Sequence, residues 1–310
     1  MKILIVANRN RGAFVPFVAE QGEALRRIGQ EVMWFGVKGH GVWGYLLNLP
    51  RLWASLLKHR PDVIHAHYGL CGTLACLQPF VPVVTTYHGS DINIPKIRRL
   101  CRPALRRSRC NLFVSKQLMA LAGDSFNPAV FPCGVFLDAF PLVERQEARQ
   151  RLGLDADTRY VLFASAFDNA VKNAPLAQES MRQLPEAKLL ELKGYSREEV
   201  ALLMRAVDCL LMTSHSEGSP QVVKEAMACN LPIVSVDVGD VAWLTEGMEG
   251  CLIAQRDPDD IARCLRQALA FGRETRGRER LEALGLDNRL VANHLANCYA
   301  KVLHPRRNRQ

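Results

Sequence analysis

Short apolar runs alternate with amphipathic stretches along the chain. Ile3-Leu4-Ile5-Val6-Ala7 is apolar at every position, which predicts a strand covered on both faces within a parallel sheet. The polar loop Asn8 to Gly12 follows. Phe14, Phe17, Val18, Leu25 and Ile28 then recur at helical spacing, with Gly29 as a stop. Val32-Met33-Trp34-Phe35 reads as the second strand. The runs at 62–67, 81–86, 111–115 and 130–135 continue the series of strands. A second series starts at Tyr160 to Ala166 and continues at 188–192, 209–212 and 232–236. Helical patterns fall at 145–154, 198–206, 257–271 and 287–303. The β-loop-α-β order, met twice, predicts an α/β chain of two Rossmann-like halves. No G-x-G-x-x-G follows the first strand, so a nicotinamide or flavin dinucleotide site is not supported.

The segment Gly41 to Arg60 departs from this rhythm. It carries Trp43, Tyr45, Leu46, Leu47, Trp53, Leu56 and Leu57 among Arg51, Lys58, His59 and Arg60. It fits a helix lying on a membrane surface and fits a core helix with one aromatic side equally well.

Composition narrows the classes. The 310 residues are 48% hydrophobic, ample for two domains. No stretch reaches the apolar length of a membrane span, and Ile3–Ala7 is too short for a signal's apolar core. Ten cysteines are scattered without a C-x-x-C pair, mostly in apolar runs. They read as buried free thiols in a reducing, cytoplasmic setting, not as a zinc site. A net charge of +9 favours an anionic partner. The basic run from Lys96 to Arg109 has no interleaved aromatic, which counts against nucleic acid. It fits a solvated helix face, or dwelling on anionic lipid.

The candidate chemistry gathers in Ser214-His215-Ser216-Glu217-Gly218-Ser219-Pro220-Gln221-Val222-Val223-Lys224-Glu225-Ala226. Ser219 is a suitable N-cap and Pro220 a suitable first helical residue. Free N–H groups and the dipole at such a helix start attract a diphosphate, and Gly218 allows close approach. Two carboxylates would repel a diphosphate between them, so Glu217 and Glu225 should address hydroxyls at its two ends. Diphosphate flanked by polyols describes a nucleotide-sugar. An ordinary capped surface helix accounts for the same residues without any ligand. His65 and His67 share a sheet face and read as structural. Tyr87-His88-Gly89-Ser90-Asp91 leaves the carboxyl end of a strand, where ligands of parallel sheets gather.

Glu217-x7-Glu225 within EGSPQVVKEA, followed by MACNLPIVS and Gly239, resembles the donor signature of the family-4 retaining glycosyltransferases. DVIHAHYG and YHGSD resemble the first half of the same family. The resemblance implies the GT-B fold: two Rossmann-like domains facing across a cleft, with a C-terminal helix crossing back. It suggests an acceptor domain over 1–143, a donor domain over 144–286, a crossover helix over 287–303 and a disordered basic tail over 304–310. It implies a donor site of Gly12, Lys172, Asn173, Glu217, Gly218, Ser219, Pro220, Gln221 and Glu225, with His88, Glu217 and Lys172 in catalytic roles. Glu225 would hold the ribose and Glu217 the sugar hydroxyls. Lys172 would neutralise the leaving diphosphate, without metal or cofactor, from a UDP- or GDP-sugar.

The family pairs such a lysine with an arginine where Phe167 and Ala166 stand. Either Lys172 acts alone, or Arg9 or Arg11 contributes. Asn is commoner in the family where Cys133 stands. Asp155-Ala156-Asp157 reads as a solvated turn, not a metal-binding pair. The expected activity is retaining transfer to a saccharide or lipid-linked acceptor for a cell-surface polysaccharide, in the cytoplasm or on the inner membrane face. A sugar-nucleotide epimerase using His88 and Glu217, and a non-catalytic membrane-docked subunit, are the alternatives.

Overall fold

The computed structural model describes residues 1–10 and 12–304. The chain divides into two compact units, Met1–Gly134 with Asn288 onward, and Val135–Asp287. Each is built on one parallel sheet.

Unit 1 contains β1 (Lys2–Asn8), β2 (Glu31–Val37), β3 (Val63–His67), β4 (Val83–Tyr87), β5 (Cys110–Phe113) and β6 (Pro128–Val130). Their order is β2-β1-β3-β4-β5-β6. Ile5 stands opposite Trp34 on one side and His65 on the other. The apolar runs mark the central strands because helices cover both faces there, so residues 3–6 are fully buried. Edge strand β6 occupies 128–130, not 130–135 as the apolar pattern suggested. Its pairing with β5 ends where Phe131 donates to the Phe113 carbonyl at 2.6 Å. Gly41 to Arg60 forms two helices, Gly41–Leu46 and Leu49–His59, not one. Leu52 and Leu56 are buried in the core, whereas Trp43, Leu47, Trp53 and Leu57 are exposed.

Helix Asn288–Leu303 groups with unit 1. Its Tyr299 is fully buried and its hydroxyl meets His65 Nδ1 at 2.6 Å. The residues from Pro305 onward, and Arg11, lie outside the described residues.

Unit 2 contains β7 (Arg159–Phe163), β8 (Ala187–Glu191), β9 (Cys209–Met212), β10 (Ile233–Val236) and β11 (Cys251–Ala254), in the order β11-β10-β9-β7-β8. Strand β11 had no counterpart in the sequence reading. Helix Arg197–Ala206 opens with a capping box between Ser196 and Glu199. The division falls after Gly134, nine positions before the expected end at 143. The reason is packing: Val135 donates to the Leu286 carbonyl at 2.9 Å, and Val135, Leu137 and Phe140 lie in the unit 2 core. Burying each such side chain contributes roughly 1.5–3 kcal/mol. All ten cysteines are free thiols, and only Cys251 and Cys298 are not buried.

Candidate active site

The candidate residues are distributed over both units. In unit 2, the loop after β9 and helix Gln221–Ala228 carry the Glu217 to Glu225 stretch. Ser219 is not the N-cap. The chain stays extended through Pro220 (φ −69°, ψ 119°), which is itself the cap, and Gln221 is the first helical residue. No side chain caps this helix. The Val223 N–H takes the Pro220 carbonyl at 3.3 Å, and a helix start without a side-chain cap is an arrangement that suits an anion.

Lys172 is placed by its backbone. The turn Ala170–Lys172 ends at Asn173 in the left-handed region (φ 55°), and the Thr213 hydroxyl donates to the carbonyls of both Lys172 and Asn173 at 2.9 Å. The His215 N–H donates to the Val171 carbonyl at 2.8 Å. These bonds tie the turn to the end of β9. The Lys172 ammonium then reaches Glu217 Oε1 at 2.6 Å, with both side chains mostly shielded. The structure thus joins two of the expected catalytic residues in one charge-assisted bond.

Glu225 is 8% exposed and pairs with Arg197, whose Nη1 lies 2.5 Å from Oε1. The Arg197 guanidinium also stands over the Phe140 ring at 4.8 Å. No local pattern singles out Arg197, which opens a helix 28 positions before Glu225. Gly239 (φ +62°) brings the loop after β10 against the Glu217 loop: a Cβ there would sit 3.0 Å from the Gly218 carbonyl oxygen. Next to it, Asp240 is buried, and neither of its carboxylate oxygens has a hydrogen-bond partner of ordinary geometry among the described residues. Burial pushes its pKa up, opposed by the charge of Lys224. Lys224 is itself fully buried and donates to Gln221 Oε1 at 2.9 Å. The Ser219 hydroxyl faces the Asp240 carboxylate and opposes the rise in its pKa, whereas the buried Ser214 hydroxyl lacks a partner of ordinary geometry among the described residues. Several buried polar atoms at the carboxyl ends of β9 and β10 are thus left for a polar guest.

In unit 1, His88 follows β4 and its Nε2 lies 3.1 Å from His67 Nδ1. The rings stack with centroids 5.3 Å apart. The buried Asp91 carboxylate accepts from the backbone N–H groups of His88, Gly89 and Gly69, which fixes the loop bearing His88. Burial raises the Asp91 pKa, and those N–H groups oppose the rise. Cys133 Sγ lies 3.9 Å from His88 Nδ1. His65 and His67 do share a sheet face, with rings 4.3 Å apart. Burial lowers the His65 pKa to about 3. It also lowers that of His67, helped by the two neighbouring imidazoles. His67 therefore acts as a neutral partner for His88, a role its structural reading did not include.

Gly12 has φ +84° and open space where a Cβ would be, so its glycine serves conformation. Arg9 is engaged in its own loop, its Nε donating to the Gly12 carbonyl at 2.8 Å. Asp155 accepts from the N–H groups of Asp157 and Thr158, a closed surface turn as expected.

Comparison with known proteins bears on the family. The Glycosyltransferase Family 4 model matches residues 4–139, and the model "Glycosyl transferases group 1" matches residues 126–270. Together the two matches span residues 4–270 and support a family-4 glycosyltransferase. It is similar to the putative teichuronic acid biosynthesis glycosyltransferase TuaC of Bacillus subtilis strain 168, 28% identical over 235 residues (66% of this chain, 60% of TuaC). It is also 28% identical over 278 residues to a D-inositol 3-phosphate glycosyltransferase of Geodermatophilus obscurus (69% of this chain, 61% of the relative). The chain thus spans about 60% of the length of these curated relatives. Among solved structures, sucrose-phosphate synthase from Thermosynechococcus elongatus superposes with a TM-score of 0.84 at 19% identity, covering 98% of this chain and 100% of that one. Anabaena Alr3699/HepE, solved in complex with UDP and glucose, gives 0.73 at 16% identity, covering 97% and 100%. At these identities the likeness establishes the fold, which is GT-B.

Proposed function

We propose that the chain is a retaining glycosyltransferase that moves a sugar from a nucleoside-diphosphate donor to a saccharide or lipid-linked acceptor in cell-surface polysaccharide synthesis. The observation carrying this reading is the 2.6 Å Lys172–Glu217 bond, on the loop that leads into a helix start without a side-chain cap. The donor diphosphate lies at the first turn of Gln221–Ala228, with Gly218 and Ser219 alongside. Lys172 shifts part of its charge from Glu217 to the departing diphosphate. Glu217, so relieved, takes sugar hydroxyls. Glu225 holds the ribose, and Arg197 orients its carboxylate. The transition state is an oxocarbenium-like sugar with a leaving diphosphate, so catalysis rests on positioning and charge stabilisation. A lysine and a helix dipole supply that stabilisation without a metal ion. His88, backed by neutral His67, keeps the catalytic role that the family resemblance implies. The resemblance to TuaC favours a polysaccharide acceptor. The exposed Trp43, Leu47, Trp53 and Leu57 favour a protein that works at a membrane surface.

The test is a thermal-shift screen of UDP-, GDP- and ADP-sugars, followed by product analysis with and without saccharide acceptors. A donor present at a hundredfold its Kd stabilises by about 2.7 kcal/mol, an easily read shift. No shift with any of the three sets would sink the proposal. Quantitative epimerisation of the donor without an acceptor would replace it with the isomerase reading.

A further inference from the structure

A groove of about 1260 Å³ lies in unit 1, beside helix Asn288–Leu303 and along β5 and β6. Cys110, Leu112, Ala129 and Phe131 contribute to its floor, two from each strand segment at the i, i+2 spacing that shares a face. Phe126 and Leu303 add apolar walls. The volume exceeds the roughly 300–1,000 Å³ of an ordinary small-molecule pocket. The groove is reached from the amino-terminal side of the sheet, where Val83 and Cys110 begin β4 and β5. His88 follows the opposite end of β4, so the groove is separate from the candidate active site.

Its charge is one-sided. Arg107, Arg109 and Lys301 line it, and among the described residues no aspartate or glutamate does. None of these three cations has a carboxylate within ion-pair distance among the described residues. The apolar lining is also continuous with an exposed apolar strip. Phe80, 71% exposed, lines one part of the groove and stands edge-on to Trp53 at 6.0 Å. Trp53 and the 79% exposed Leu57 belong to helix Leu49–His59.

We propose that this groove binds an anionic membrane lipid. One acyl chain runs along Phe126, Phe131 and Leu112, and the phosphate sits among Arg107, Arg109 and Lys301. A soluble nucleotide would leave the apolar floor unused, and a neutral lipid would leave three cations unmatched. The proposal stands on unit 1 alone and does not depend on glycosyl transfer.

The test uses Cys298, a half-buried thiol lining the groove 3.7 Å from buried Cys110. Its alkylation by iodoacetamide under reducing conditions is followed by peptide mass spectrometry, with half-buried Cys251 of unit 2 as the internal control. Palmitoyl lysophosphatidylglycerol and the matching lysophosphatidylcholine are compared below their micelle concentrations. The anionic lipid is expected to protect Cys298 and not Cys251, with one molecule bound by native mass spectrometry. Arg109→Gln/Lys301→Gln changes two exposed side chains and leaves the core intact. It should raise the half-protecting concentration by about tenfold or more. Equal protection by both lipids, equal protection of Cys251, or an unshifted double variant would overturn the proposal. Protection without lipid in a self-associated species would instead assign the face to a second copy and overturn it equally.

Discussion

Glu225→Ala separates a ligand-holding carboxylate from a structural one. Glu225 is held by Arg197, whose guanidinium donates to it at 2.5 Å. About a third of the Arg197 side chain is exposed. Although Glu225 itself is mostly buried, solvent at the guanidinium screens the pair, which contributes about 1 kcal/mol to folding. For a unit of this size that is a melting shift of about 2–4 °C. Affinity should change more. A carboxylate accepting from ribose hydroxyls contributes about 1.5–3 kcal/mol through charge-assisted bonds. Its loss should weaken nucleoside-diphosphate binding by roughly ten- to 150-fold. Titration calorimetry with UDP, GDP and ADP measures this directly, and differential scanning calorimetry measures the melting shift. Arg197→Met is the control. It removes the same ion pair but leaves the carboxylate, so affinity should fall by only about threefold while the melting shift is similar. The reasoning fails if Glu225→Ala binds within about threefold of the parent chain. It fails differently if Arg197→Met loses the affinity and Glu225→Ala keeps it, since the ligand would then lie on the guanidinium.

Three further outcomes are expected. Lys172→Ala should lower kcat by about tenfold or more, as losing one charge-stabilising donor does, and parent-like turnover would dismiss its leaving-group role. Stability should fall as pH drops below about 6.5, because burial holds the folded His65 pKa near 3 while the unfolded ring protonates at its ordinary value. The loss should reach about 1.4 kcal/mol per pH unit for each such histidine, His67 adding to it, and equal denaturant midpoints at pH 7 and pH 5 would refute this. Gly239→Ala places a Cβ at φ +62° and 3.0 Å from the Gly218 carbonyl, so it should cost about 1–2 kcal/mol and weaken donor binding; an unchanged melting temperature would contradict the packing.

The sheet cores were legible because a strand buried on both faces must be apolar throughout, and no surface helix reads that way. Strand β1 and the central strands of both units follow from that rule alone. Edge strand β6 did not, because half of its surface is open and its polar limits blur. The same openness hid β11, whose Ile253 is exposed. The split of Gly41 to Arg60 into two helices was hidden for another reason. Its hydrophobic residues serve two purposes, Leu52 and Leu56 facing the core and Trp43 and Leu57 facing outward, so their periodicity sums two stripes.

At the site, sequence named the carboxylates, Lys172 and His88 but assigned each a partner only through an absent ligand. What it could not give was their partners within the chain. Lys172 and Glu217 are 45 positions apart, Glu225 and Arg197 28, and His67 and His88 21. The first and last pairs close where neighbouring strands set their loops side by side, whereas Glu225 and Arg197 meet between two helices whose preceding strands, β9 and β8, are separated by β7; no local pattern encodes either. Asp240 is the instructive case. In sequence it is one acid in a polar loop after β10. In the fold it is a buried carboxylate opposite buried Lys224, next to a glycine that holds two loops together. The signal was available in Gly239, because a glycine in the loop that leaves a strand of a parallel sheet marks a close approach of backbone. The residue following such a glycine is carried into the space where those loops meet. That logic places Asp240 with Glu217 and Lys172 as a third charged residue at the carboxyl end of the unit 2 sheet.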